Sequence, residues 1–170
     1  MLARSATIFK WALYAGATLV FFLLQGAVLQ RITVWGVIPF VFPLLAAVLG
    51  TYEPPLPASV YGLILGAACD LLLPGPLPCF YTLVFPAAAL GAALISQSLL
   101  PAGFLCAAAG SLLAFLLTDF FHCLLLWLRG QAAWAAGAWV FLREVCVSIP
   151  LVIPAVMLFS AVFRRTHLDD

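Results

Sequence analysis

Charge is what this sequence has least of. Lys and Arg number seven and Asp and Glu six in 170 residues, so charged side chains make up 8% of the chain. Soluble domains carry about 25%. Hydrophobic residues reach 66%, against roughly 45–50% in soluble domains, and the mean hydropathy is +1.23. No water-soluble fold covers that much apolar surface, so the composition specifies an integral membrane protein. The net charge of +1 provides no basic surface for nucleic acid, which excludes that partner. Catalytic signatures are missing as well: there is no HExxH, GxSxG or Walker loop. The five cysteines, Cys69, Cys79, Cys106, Cys123 and Cys146, have no CxxC spacing and an odd count. They read as small buried hydrophobes. Cys69 and Cys79 flank one connection, but their spacing does not require a disulfide. The sequence therefore predicts a protein that is not an enzyme and that has no cofactor and no metal.

What the chain does have is concentrated in residues 60–81, VYGLILGAACDLLLPGPLPCFY. Gly62, Gly66 and Asp70 are four residues apart and share one stripe of a helix, which Ala58 extends backwards. Small residues at this spacing let two helix backbones approach closely in a bilayer. Pro74, Gly75, Pro76 and Pro78 then stop the helix and force a tight connection. The stretch reads as a packed membrane helix, a short hairpin connection and a second membrane helix.

A helix needs roughly 20 apolar residues to cross the hydrocarbon core. Six segments approach this: 8–29, 38–52, 56–73, 79–99, 102–128 and 141–163. They predict an all-α integral membrane protein, a compact bundle of six transmembrane helices in a single domain over 1–170. The first is read as a retained helix, because its apolar run is long for a signal peptide and lacks a small-x-small cleavage site. The second is short and holds Pro39 and Pro43, so either a kink or an earlier start is expected there. The fourth presents a small-residue face of Ala88, Ala92 and Ser96. Residues 129–138, with Trp134, are expected to be an interfacial connection. Trp35 and Trp139 suit the membrane interface too. Six spans put both termini on one side, with Arg4, Lys10, Arg164 and Arg165 against Arg31, Arg129 and Arg143 on the other. The positive-inside rule then makes both termini cytoplasmic.

Asp70 and Asp119 are the ionisable residues that need explaining, because a carboxylate inside a membrane helix is costly and marks a site by default. Asp70 reads as an inter-helix tie or a docking point. Asp119, with His122 one turn along, reads either as a proton-relaying pair or as a structural tie. Gln25, Asp119 and His122 are the candidate buried polar residues. Two aspartates raise the question of an aspartyl protease, whose acids share a proton at close range. The GxGD pattern expected of that class is absent, since the chain reads GAACD.

The order FLLQGAVLQRITVWGVIPFVFPLLAAVLGTYE, then VYGLILGAACDLLLPGPLPCFYTLVFPAAALGAAL, resembles the rod shape-determining protein MreD family. The matching positions are Leu24-Gln25, Trp35-Gly36-Val37-Ile38-Pro39, Glu53, Gly62-Leu63, Gly66, Asp70-Leu71-Leu72 and Pro76-Leu77. The likeness covers residues 20 to 100; beyond them it is one of length and hydropathy. Pro78 departs from the Gly that the family often has after the loop Leu. The resemblance implies a non-enzymatic subunit of the cell-elongation machinery in a bacterial cytoplasmic membrane. It implies pairing with an MreC-like single-span protein and association with MreB, RodA and a class B penicillin-binding protein. The Gly62, Gly66 and Asp70 face would receive a partner helix or lock the third helix inside the bundle, and such a face also admits a homo-oligomer. Membrane lipids are the remaining partners.

A second reading comes from another class: the substrate-binding S component of an energy-coupling factor vitamin transporter, which MreD-like chains resemble in size, six-helix layout and fold. Such a component needs an outward pocket with several polar groups. The candidates here are Gln25, Gln30, Asp70, Tyr81 and Asp119, with Ala88, Ala92 and Ser96 as the contact for a coupling subunit.

Overall fold

The computed structural model describes residues 2–73, 77–131 and 134–167, with side chains from Thr7 to Thr166 within those ranges. Helix α1 spans Leu2–Ala27 and ends in a 3-10 turn at Leu29–Arg31. There follow α2 (Phe42–Tyr52), α3 (Pro55–Leu72), α4 (Phe80–Ser98), α5 (Phe104–Leu128), α6 (Trp134–Ser148) and α7 (Val152–His167). A 3-10 turn at Ile149–Leu151 joins α6 to α7. Among the described residues the one β feature is an isolated bridge between Val34 and Val37. Its two central residues, Trp35 and Gly36, both have positive φ, as a two-residue type I′ turn requires.

Prolines set the helix boundaries. Pro43 occupies the first turn of α2 and Pro55 that of α3, where no intrahelical N–H bond is lost. Pro150 sits in the 3-10 turn before α7. Pro86 is inside α4, beside the close approach of Gly62 to that helix. Pro78 precedes Cys79, whose φ of 62° is left-handed, and α4 starts immediately after. Pro74, Gly75 and Pro76, expected to break the third helix, lie outside the described residues; α3 itself ends at Leu72.

Among the described residues five stretches are long and apolar enough to cross a membrane: Thr7–Arg31, Pro55–Leu72, Phe80–Ser98, Phe104–Leu128 and Trp134–Thr166. The protein is thus an all-helical, multi-pass membrane protein. Two of the six expected spans need correction. The second is no span by length: α2 has 11 residues, about 16 Å of helix. Pro39 lies in the non-helical approach to it and Val41 is its N-cap, so Pro43 sits in the first turn of the helix instead of kinking it. The sixth begins at Trp134, because the run Trp134-Ala135-Ala136-Gly137-Ala138 is helical and the polar connection shrinks to residues before it.

α2 is the centre of the molecule. Every residue of Phe42–Thr51 is buried, and the helix packs against α3, α4, α5 and α7. Its two ends are tied to opposite ends of α1's apolar run. Gln25 bonds the backbone just before α2, and Glu53, just after it, bonds Lys10 and Tyr14. α2 therefore runs antiparallel to α1, whereas the α6–α7 stretch follows the direction of α2, with Ser148 beside Phe40 and Phe163 beside Tyr52. Tyr14 of α1 stacks on Phe159 of α7 at 5.6 Å, which puts the first half of α1 and the second half of α7 at the same end of the bundle.

Candidate functional site

The polar side chains of this apolar chain are gathered at a few places where helices meet. The first is the α3–α4 hairpin. A Cβ on Gly62 would lie 2.7 Å from the Phe85 carbonyl oxygen and 2.9 Å from Pro86 Cα. One on Gly66 would overlap the Tyr81 carbonyl and sit 2.8 Å from Thr82 Cα. Only glycine leaves room for the two backbones to touch there. This approach carries Asp70 to the start of α4. Its Oδ1 accepts from Tyr81 N at 3.0 Å, and its Oδ2 accepts from Thr82 N at 2.8 Å and Thr82 Oγ1 at 2.6 Å. α4 has no capping bond from its own N-cap side chain, Cys79. Asp70 supplies the cap from the neighbouring helix, and its negative charge faces the positive end of the α4 dipole.

A second close seat joins α2, α4 and α5. Ala47, Ala88, Ala92 and Ala114 are all fully buried and form one cluster. A Cβ on Gly110 would come within 2.9 Å of Ala92 Cβ, and one on Gly50 would overlap the Ala89 carbonyl. Ser96 Oγ donates to the Thr51 carbonyl at 2.8 Å. Ala88 and Ala92 thus face inward, away from any coupling subunit. Gly50 and Gly110 escaped the sequence reading, although Gly110 and Ala114 carry the same small-xxx-small spacing that singled out α3.

Gln25 is buried, and its amide clamps the approach to α2: Nε2 donates to the Pro39 carbonyl at 2.9 Å and Oε1 accepts from Val41 N at 3.1 Å. Phe40 N donates to Ser148 Oγ at 3.1 Å. Non-helical backbone at this depth needs such partners, because no water replaces them. At the other end of α2, Glu53 is 5% exposed and accepts from Lys10 Nζ at 2.8 Å and Tyr14 Oη at 2.9 Å. The sequence reading gave Lys10 and Glu53 no shared role. Their signal was scarcity: in a chain with so few charges, an acid before Pro54-Pro55 and a base heading an apolar run each need a partner.

The pair expected on α5 does not form. Asp119 and His122 are three residues apart, which leaves them about 60° apart around the helix. Asp119 turns to a cleft with α6, while His122 is exposed and sets its ring edge-on to Phe80 at 6.3 Å. His122 is therefore no buried polar residue. Asp119 Oδ2 is covered but makes no hydrogen bond among the described residues. Arg143 of α6 donates to the Trp35 carbonyl at 3.0 Å and lies 5.0 Å from the Trp139 ring centre. All five cysteines are free; Cys69 and Cys106 are buried, whereas Cys79 and Cys146 are exposed and so depart from the buried-hydrophobe expectation.

A cavity of about 610 Å³ opens between α1 and α3 beside Tyr14, Thr18 and Tyr61, and its walls are otherwise apolar. Thr18 Oγ1 and Tyr61 Oη lie 2.6 Å apart and satisfy each other. Gln25, Asp70 and Asp119 do not line it. Among the described residues no three His, Cys, Asp or Glu side chains are grouped as a metal site. The site geometry is that of a set of inter-helix ties. No protein-family model matches the chain, and neither a curated protein nor a solved structure matches it.

Proposed function

We propose that the chain is a non-enzymatic membrane subunit of the bacterial cell-elongation machinery, of MreD type, packing with an MreC-like single-span protein to support peptidoglycan synthesis and cell shape. One coincidence supports the reading. Five of the residues that carry the resemblance hold the bundle together: Gln25 clamps the approach to α2, Glu53 ties α2 to α1, and Gly62, Gly66 and Asp70 join α3 to α4. Polar groups engaged in fixing helices suit a scaffold. A transport component would gather Gln25, Asp70, Tyr81 and Asp119 around one ligand, and here Gln25 and Asp70 are engaged in different inter-helix bonds. On this reading both termini are cytoplasmic, and MreB, RodA and a class B penicillin-binding protein are the wider assembly.

Gentle solubilisation of a tagged chain from its native membrane, followed by identification of stoichiometric companions, tests the proposal. Recovery of a single-span protein with a large extracytoplasmic domain is the expected result. Recovery of ATPase subunits with a coupling membrane protein, or of a bound vitamin, would replace the scaffold reading with the transport one.

A further inference from the structure

We propose that the cavity where the ends of α2 and α7 meet the start of α5 is a site for the headgroup of an anionic phospholipid, with Arg164 as its phosphate contact. The inference concerns a surface and its chemistry, and it does not depend on the shape-determination reading.

The cavity holds about 360 Å³, and its lining includes Tyr52, Gly103, Phe104, Val156, Ser160 and Arg164. Three helix ends bring these residues together. Tyr52 is the last residue of α2, Phe104 is the first of α5, and Arg164 stands three residues before the end of α7. The rings of Tyr52 and Phe163, 5.6 Å apart, hold α7 against α2. Phe104 begins one membrane-crossing stretch and Thr166 ends another. The mouth of the cavity is therefore at the level where hydrocarbon gives way to headgroups.

Charge selects the occupant. Arg164 is exposed, lies within electrostatic reach of the Tyr52 hydroxyl, and makes no hydrogen bond or ion pair with another described residue. Glu53, the described acid at this end, is already bonded to Lys10 and Tyr14. Asp169 and Asp170 follow α7 in the sequence, outside the described residues. A guanidinium suits phosphate through its fork of donors, and Tyr52 and Ser160 add hydroxyls to the lining. Gly103 has no side chain with which to cap α5, so the positive end of that helix reinforces the field of Arg164. No acid lines the cavity, so the ammonium of a zwitterionic headgroup finds no partner there and an anionic lipid is favoured. The lining also has an apolar depth. Val156 lies eight residues before Arg164 on α7, about 12 Å along the helix. A molecule with its phosphate at Arg164 continues onto this apolar surface, as a phospholipid does and a free phosphate does not.

Native mass spectrometry of the full chain tests the site, with equal amounts of phosphatidylglycerol and phosphatidylcholine of the same acyl chains added in detergent. Phosphatidylglycerol is expected on the protein about fivefold more often, the attraction of one basic side chain to an anionic membrane surface. Arg164→Gln is expected to abolish the preference. Ala102→Glu, which sets a carboxylate in the lining, is expected to abolish it too. Arg165→Gln removes the same charge one residue along, outside the lining, and is expected to leave the preference in place. No preference in the wild-type chain, as expected if Asp169 or Asp170 occupies Arg164, would overturn the proposal. So would a preference that survives Arg164→Gln, or an equal loss in Arg164→Gln and Arg165→Gln, which would mark a diffuse basic end and no site.

Discussion

Asp70 and Asp119 are the same side chain on two membrane helices, in opposite states. Asp70 accepts three hydrogen bonds at the start of α4, and the glycines before it bring the helices into backbone contact. Asp119 has a covered oxygen with no donor among the described residues and faces a cleft. The α3–α4 hairpin is internally complete, and the α5–α6 hairpin is open. An acid in a membrane helix thus has two meanings, and the surrounding donors, not the acid, decide between them.

Substitutions can break that comparison. The largest effect is expected from Gly66→Leu, whose side chain would occupy the space of the Tyr81 carbonyl. Backbone cannot yield as a side chain does, so the cost should reach or exceed the usual overpacking range of about 1–3 kcal/mol. Monodisperse protein in detergent should be largely lost; wild-type yield and melting temperature would refute the close-packing argument.

Asp70→Ala comes next. It removes the cap of α4, for which about 0.5–2 kcal/mol is usual. A thermal shift assay in detergent should register a clear loss, and an unchanged melting temperature would mean that the three bonds contribute nothing net. Asp70→Asn keeps an acceptor but loses the charge at the α4 dipole, so a smaller loss, about 0.3–1 kcal/mol, is expected. An Asn variant less stable than the Ala variant would contradict this order. Glu53→Gln keeps an acceptor for Tyr14 and leaves Lys10 without its carboxylate; a loss of about 1 kcal/mol is expected, and combining it with Lys10→Met should recover part of it.

The smallest effect is expected from Asp119→Leu on the isolated chain. No bond within the described residues is lost, and a charge is removed from an apolar setting. Its melting temperature should equal or exceed that of the wild type. A marked fall would mean that Asp119 is a structural tie after all, and the contrast with Asp70 would disappear.

Much of this arrangement is legible in the sequence. The Gly62, Gly66 and Asp70 stripe, the boundaries of α3, α4 and α5, and the small-residue face of α4 follow from spacing and proline placement alone. The rest depends on what surrounds a segment. Hydropathy cannot separate a helix facing lipid from one buried in protein, since both are apolar; α2 therefore passes for a short, kinked span. The start of α6 is missed because Trp and Ala suit an interface as well as a helix. His122 is misplaced because a spacing of three brings two residues near one side of a helix while a boundary between packing and lipid falls between them. Glu53 and Lys10 find each other across 43 residues of sequence, a separation that no local pattern records.

The burial of α2 also has a consequence for how the protein is made. This segment leaves the ribosome before α4, α5 and α7, the helices that enclose it. At 11 residues it is too short to hold a place across the bilayer alone. Its final seat can therefore close only after α7 has been synthesised. Until then the insertion machinery or the flanking helices must shelter a core element that belongs to helices not yet present, and the seat closes when α7 docks against a segment made before α3.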